Sequence, residues 1–298
     1  MTLLLALILA ASPSRTFRIE QTIDIAPQPG PVSLWVPVPH DDKWQTVTAV
    51  SINGAEVVKD ALGNQAARYS IPAAGGQLKV GYTVERRERE GNLTAAPAAA
   101  KLDKEWLKND KLVIVDDKIR KISAEVTKGA VTPVEKARAV YAYVLANMKY
   151  QKTGDGWGNG SIIWACDEKY GNCTDFHALF IGLMRAANVP ARFEIGRSVP
   201  PESGQIAGYH CWADFQSGTA WIPVDASEAW KHPEKKDYFF GHHDDDRFAI
   251  SMGRDLKLPG MKGDSLNYFV DPYGELADGT KAKGVKQTTQ VTTVLASR

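Results

Sequence analysis

Three residues of the chain have the types needed for covalent acyl transfer: Cys173, His210 and Asp225. In that chemistry a thiolate attacks a carbonyl, an imidazole takes and returns the proton, and a carboxylate holds the imidazole in one tautomer. Cys173 opens a stretch in which Phe176, Leu179, Phe180, Leu183, Met184 and Ala187 recur at helical spacing, so a helix N-terminus is expected near Asn172 or Cys173. Unpaired backbone N–H groups and the helix dipole favour negative charge there, and hence the thiolate. His210 lies in the strand-like run Tyr209 to Phe215, and Asp225 ends the run Trp221 to Asp225, a separation of 15 residues (225 − 210). Two antiparallel strands joined through Gln216-Ser217-Gly218-Thr219 bring such positions side by side, with Asp225 accepting from the His210 Nδ1–H. Each residue also has a plainer reading: a small core cysteine, a hydrogen-bonded core histidine, a turn-capping aspartate. The combination is what points to thiol chemistry.

The elements that must carry these groups are legible as well. From Thr16 to about Glu90 apolar residues alternate, as in Phe17, Ile19 and Ile23 or Leu78, Val80, Tyr82 and Val84, which predicts short strands. Turn signals separate them, and Asn53-Gly54 suits a type I′ hairpin. Gly91 to Lys101 has no periodicity and reads as a linker or surface loop. Thr132-Pro133-Val134-Glu135 has the composition of a capping box with Pro at the first helical position, followed by Ala137, Val140, Tyr141, Val144, Leu145 and Met148 on one stripe. After the Cys173 helix, which ends before Val189-Pro190, strands are predicted at 191–196, 209–215 and 220–224, then at 247–250, 266–270 and 288–295.

The blocks Gly171-Asn172-Cys173-Thr174-Asp175-Phe176-His177-Ala178-Leu179-Phe180, Leu183-Met184-Arg185-Ala186-Ala187-Asn188-Val189-Pro190-Ala191-Arg192, His210-Cys211-Trp212-Ala213-Asp214-Phe215 and Trp221-Ile222-Pro223-Val224-Asp225 resemble the core of the transglutaminase-like superfamily. The flanks, including Leu34-Trp35-Val36-Pro37-Val38-Pro39 and Tyr238-Phe239-Phe240-Gly241, look like those of uncharacterised bacterial members. The resemblance implies a papain-like arrangement in which Cys173, His210 and Asp225 form the triad, on a helix packed against an antiparallel sheet. It also makes Trp164 or Trp157 a candidate indole donor to an oxyanion, beside the backbone N–H of Cys173. Asp175 and His177 are candidates for shaping the site or for local hydrogen bonding. Where many relatives have Ala after the histidine, this chain has Cys211; strand alternation turns it away from His210 and makes it a core residue rather than a second nucleophile. In an exported protein Cys211 and Cys166 could pair and leave Cys173 free. No Cys-x-x-Cys is present, which disfavours the zinc-bearing peptide-N-glycanase branch.

Composition bounds the rest. With 36 Lys and Arg against 35 Asp and Glu, the net charge of +1 gives no electrostatic case for a nucleic-acid partner. Three cysteines in 298 residues cannot form a disulfide framework. Leu3 to Ala11 reads as a signal-peptide h-region with cleavage near Ala10 or Ala11, so export to the periplasm or medium is expected, the alternative being a cytoplasmic protein. No stretch approaches the length of a membrane-spanning helix. His242-His243-Asp244-Asp245-Asp246 fits neither zinc nor calcium spacing and is read as a solvated turn; no metal or cofactor is expected.

The expected fold is therefore α+β: a leader over 1–12, a small all-β sandwich over 13–90, a linker over 91–115, a catalytic core over 116–275 and a C-terminal strand or tail over 276–298. The expected function is a cysteine peptidase or amidase working on a peptide or protein substrate through an acyl-enzyme. The alternatives are a protein-glutamine transglutaminase, which differs only in the acceptor, and a non-catalytic exported module binding peptide or glycan. An open cleft over Cys173 favours the enzyme, a plugged one the binding module.

Overall fold

A computed structural model describes residues 14–94 and 101–294, so the expected leader lies outside the described residues. The amino-terminal part is made of strands: β1 (Ser14–Ile25), β2 (Val32–Val38), β3 (Gln45–Ser51), β4 (Glu56–Lys59), β5 (Gln65–Ile71), β6 (Gly76–Arg87) and the short β7 (Arg89–Glu90). Their alternation does what period two requires: on β1, Phe17, Ile19, Ile23 and Ile25 are buried while Arg18, Glu20 and Asp24 are exposed. The Asn53-Gly54 turn exists, with Gly54 at φ 77°, but it is no type I′ hairpin. That turn needs positive φ at both central residues, and here it joins β3 and β4, which pair with β6 and β5 in different sheets.

The helical part follows. It comprises α1 (Asp117–Val126), α2 (Pro133–Asn147), β8 (Lys149–Tyr150), α3 (Ile162–Glu168), β9 (Tyr170–Gly171) and α4 (Cys173–Ala186). The capping box of α2 forms as its sequence prescribes, with the Glu135 N–H donating to Thr132 Oγ1 at 3.2 Å and Glu135 Oε2 accepting the Thr132 N–H at 2.8 Å. Next come β10 (Ala191–Ser198), β11 (Gly204–Ile206), β12 (His210–Ser217), β13 (Ala220–Val224), α5 (Ala226–Lys231), β14 (His242–His243), β15 (Arg247–Met252), β16 (Tyr273–Glu275) and β17 (Val285–Val294). Residues 266–270 form no strand; only Leu266 bridges to Leu256.

Three sheets organise the molecule: β11-β17-β1-β6-β3, β16-β2-β5-β4 and β13-β12-β10-β15. The last strand of the chain thus closes back on the first, Thr16 facing Val294 and Ile25 facing Val285. One continuous cluster of buried side chains runs from Phe17, Leu34 and Tyr82 to Val140, Phe180, Phe193 and Phe215. Val113 and Val115 join it from the segment ahead of α1. Helix α4 is buried from Cys173 to Arg185, on every side rather than along one stripe, and its polar side chains Asp175 and Arg185 are hydrogen-bonded there. This is an α+β fold whose central helix lies on an antiparallel sheet. The other face of that sheet carries ionic pairing: Arg89 of β7 donates to Asp214 at 2.9 Å, Arg192 joins the same carboxylate at 2.8 Å, and the Trp212 indole donates to Glu194 at 2.8 Å.

Candidate active site

Helix α4 begins at Cys173, as its composition predicts. Asn172 is the N-cap, its Oδ1 accepting the Thr174 N–H at 2.9 Å, and Asp175 returns the contact by accepting the Asn172 N–H at 3.0 Å. Asp175 also takes the N–H groups of Gly158 at 2.7 Å and Gly160 at 3.0 Å, so it pins the glycine-rich approach loop to the start of the helix. Arg254 fixes the same loop by donating to the carbonyls of Gly160 and Asn159 at 2.6 and 2.8 Å. Gly171 is required here, because a Cβ on it would lie 2.2 Å from Asp175 Oδ2. The role of Asp175 is therefore architectural. Trp164 differs from expectation: its indole N–H is spent on the Tyr170 carbonyl at 2.9 Å, and that of Trp157 on the Gly154 carbonyl at 2.9 Å, so neither is free for an oxyanion. The Cys173 N–H, at the first helical position, has no intrahelical acceptor and is the donor the fold provides.

His210 opens β12, and Asp225 follows β13 as the N-cap of α5. The hairpin register places Val224 opposite Ala213, and His210 Nε2 meets Asp225 Oδ2 at 2.6 Å. The expected contact was through Nδ1; the ring is turned the other way, with Nδ1 3.9 Å from Glu228 Oε1. Asp225 is fully buried. Its Oδ1 accepts from Ser227 Oγ and the Glu228 N–H, both at 2.9 Å, and its Oδ2 also accepts from Arg247 Nη1 at 2.9 Å. Burial opposes its charge, yet His210, His177 and Arg247 hold the carboxyl well below its usual range. Burial likewise opposes charge on His210, but the Asp225 carboxylate and the Cys173 sulfur outweigh it and raise the imidazole to about 9. Cys173, only 2% exposed, is held well below the usual thiol range by hydrogen bonds from Cys211 and His210 working against its burial.

Arg247 is the neighbour of His210 and Asp225 that residue types alone did not assign. Arg247, buried at the start of β15, stands 3.2 Å from His210 Nε2 and binds Asp244 at 2.8 Å with its other nitrogen. The His242–Asp246 cluster is thus not a solvated turn: His243 is fully buried with its ring 4.1 Å from that of Trp212, and Asp244 anchors the arginine that reaches His210 and Asp225. A cation directly after three acids and before Phe248-Ala249-Ile250 was the available signal. His210, Asp225 and Glu228 also have ligand atoms close enough for a metal, but the guanidinium of Arg247 already neutralises Asp225. All three cysteines are free, and Cys211 lies against α4 beside His177 rather than paired with Cys166.

Residues 120–226 match the family model of the transglutaminase-like superfamily, a span that contains Cys173, His210 and Asp225. The likeness to a transglutaminase-like core lies in that stretch. Over 315 aligned residues, 87% of this chain and 85% of the other, it is 25% identical to an "Uncharacterized protein" of Haemophilus influenzae. Among solved structures, one described as a "Putative Cysteine Protease" from Cytophaga hutchinsonii superposes with a TM-score of 0.64 at 17% identity, covering 97% of this chain and 94% of that one, which shows a shared fold. The periplasmic domain of TgpA from Pseudomonas aeruginosa aligns with a TM-score of 0.40 at 16% identity, over 77% of this chain and 92% of that domain. Among the described residues no helix is long and apolar enough to cross a membrane.

The ionisation pattern has a measurable consequence. A free thiol of pKa about 8.5 loses roughly 80-fold in thiolate between pH 8 and pH 6. Alkylation of Cys173 by iodoacetamide is expected to slow only a few-fold over that interval. A reaction that needs the His210 proton should then fall away above pH about 9. Because the folded pKa of His210 is raised, its share of stability is complete below about 6.5 and is lost as the pH rises through about 9. A Cys173 profile that tracks the free thiol would show that the pair does not form.

Proposed function

We propose that the protein is a thiol-dependent acyl-transfer enzyme that hydrolyses peptide or amide bonds, with Cys173 as nucleophile, His210 as acid and base, and Asp225 as the group that orients His210. The observation that carries this reading is the 2.6 Å contact from His210 to Asp225 in a site whose thiol opens a 14-residue buried helix. The Cys173 thiolate adds to the carbonyl carbon, and the new oxyanion takes the Cys173 N–H. Collapse breaks the C–N bond while His210 protonates the departing amine. Water, deprotonated by His210, then adds to the thioester, and loss of the acid restores the thiolate and the imidazolium. Transamidation needs only an amine in place of that water. The proposal includes an exported protein, on the strength of the apolar run Leu3 to Ala11.

One feature supports the binding-module alternative: the thiol is 2% exposed, and the cavity of about 490 Å³ beside Trp44, Arg192 and Trp221 does not reach it. Catalysis then requires the approach loop to yield when substrate arrives, together with Tyr209, which accepts from the Asn172 amide at 3.0 Å, and Tyr268, which donates to the Gly158 carbonyl at 3.5 Å. Labelling of the full chain with a peptide-like vinyl sulfone, followed by peptide mapping, separates the two. An enzyme is expected to be modified at Cys173 at least tenfold faster than at Cys166 or Cys211, and a peptide-library screen with and without an amine acceptor then reads hydrolysis against transamidation. Uniformly slow labelling of all three would leave the binding module standing.

A further inference from the structure

Asp225 takes only one nitrogen of His210, holding Nε2 at 2.6 Å, so Nδ1 is the nitrogen left to exchange protons with a substrate. That nitrogen faces a second carboxylate. Glu228 Oε1, on the first turn of α5, lies 3.9 Å from it. The separation is that of an ion pair rather than a hydrogen bond, so the Nδ1–H stays free to pass to a departing group while the charge beside it favours the imidazolium. Glu228 stands three residues after the cap Asp225, where an acidic side chain ordinarily turns back to the N-cap amide. Here it does not: the Asp225 N–H donates to the Phe239 carbonyl at 3.0 Å, and the Glu228 side chain, 11% exposed, reaches across to His210.

The Glu228 charge has other claimants. Lys231 binds Oε1, while His232 Nε2 at 3.8 Å and Arg247 Nη2 at 4.0 Å face Oε2. Lys231 and His210 meet the same oxygen, so the ammonium opposes what the carboxylate does for the ring. We propose that Glu228 is a positioning residue for the acid–base step: its carboxylate sets charge against the free nitrogen of His210 and keeps the ring an imidazolium able to give its proton, while Lys231 limits that pull. This inference rests on His210 being the acid and base. The groups that face His210 are Asp225 and Glu228 from the stretch after β13, Arg247 from β15, and Cys173 and His177 from α4. Of these, only Glu228 places a carboxylate on the Nδ1 side, and a unit charge about 4 Å away within a protein is able to move a titration by more than one pH unit.

The test is the pH titration of the His210 ring, followed by NMR on the full chain with labelled histidine, the His210 signal being assigned by its loss in His210→Gln. Wild type should titrate near pH about 9. Glu228→Gln keeps the backbone bond to Asp225 and removes only the charge, and is expected to lower that midpoint by about one pH unit. Lys231→Met leaves the carboxylate unopposed and should raise it by about half a unit. Opposite signs are what a charge beside Nδ1 requires, and a merely structural role would not produce them. Turnover of Glu228→Gln should follow its titration, about eightfold slower at pH 9.5 and under about twofold slower at pH 7. Thermal melts identify a variant that fails to fold, and the sign of the other then decides. An unmoved midpoint in either folded variant, or shifts of the same sign, overturn the proposal. Vinyl sulfone labelling of wild type scores the enzyme reading separately: no preference for Cys173 there sinks that reading, and the acid–base role of Glu228 with it, whatever the titrations show.

Discussion

Cys173→Ala is expected to reduce hydrolysis of the peptide selected by the library screen to background, a fall of about 10⁴- to 10⁶-fold, while the protein stays folded. The size follows from the chemistry, since a methyl group can form no acyl-enzyme, and only substrate binding and the oxyanion donor remain. Stability should change by no more than about 1 kcal/mol, because the loss is one small buried sulfur and the helix start is held by Asn172 and Asp175, which are untouched. The pair of measurements is a steady-state rate and a thermal melt. Retained turnover in the folded variant would end the covalent mechanism, whereas loss of fold would show that Cys173 is structural.

Asp225→Ala should act on both quantities at once. The carboxylate is fully buried and accepts from His210, Arg247, Ser227 Oγ and the Glu228 N–H. Truncation leaves a buried guanidinium facing an empty space, an imidazole without its orienting acceptor and α5 without its cap. Breaking a buried ion pair costs about 3–5 kcal/mol and loss of a cap about 1 kcal/mol, with Asp244 retaining part of the hold on Arg247. A destabilisation of about 3–5 kcal/mol by urea unfolding is expected at neutral pH, together with a fall in turnover of about 10³- to 10⁴-fold. The sign with pH follows from the depressed pKa. The stabilisation due to Asp225 is complete above the ordinary carboxyl value of 3.8 and is lost as acid brings the pH down through its lower folded value. The gap between wild type and variant should therefore be widest near neutrality and close in strong acid. Asp225→Asn, which keeps an oxygen for the α5 cap, should lose less stability but a similar share of activity, since its amide cannot hold His210 as an imidazolium. A stability loss under 1 kcal/mol for Asp225→Ala would mean that the pairing with Arg247 contributes nothing net.

Much of the site's local construction was readable from residue types. A polar cap followed by a thiol and an apolar run specifies a helix starting at Cys173, and Thr132 to Glu135 specifies the start of α2, because caps and first turns are made by residues adjacent in sequence. The strand that opens with His210 and the one that ends just before Asp225 were readable as apolar, aromatic-rich runs. The orientation of the imidazole was not, since either ring nitrogen can face a carboxylate and the choice depends on where the helix lies. Trp164 was a candidate donor through the family resemblance, but its indole is occupied by a carbonyl six residues away.

Local pattern by itself determined which segments become helix or strand, where α4 begins, and which thiol, imidazole and carboxylate could act together. Tertiary structure alone decided that Arg247 reaches Asp225, that Cys211 meets His177 of α4, and that β17 pairs with β1. The reason is physical. Caps and periodicity are set by neighbours within a turn or a pleat, whereas Arg247 meets Asp225 only because β15 pairs with β10 across about fifty residues of chain, a register that no local pattern encodes.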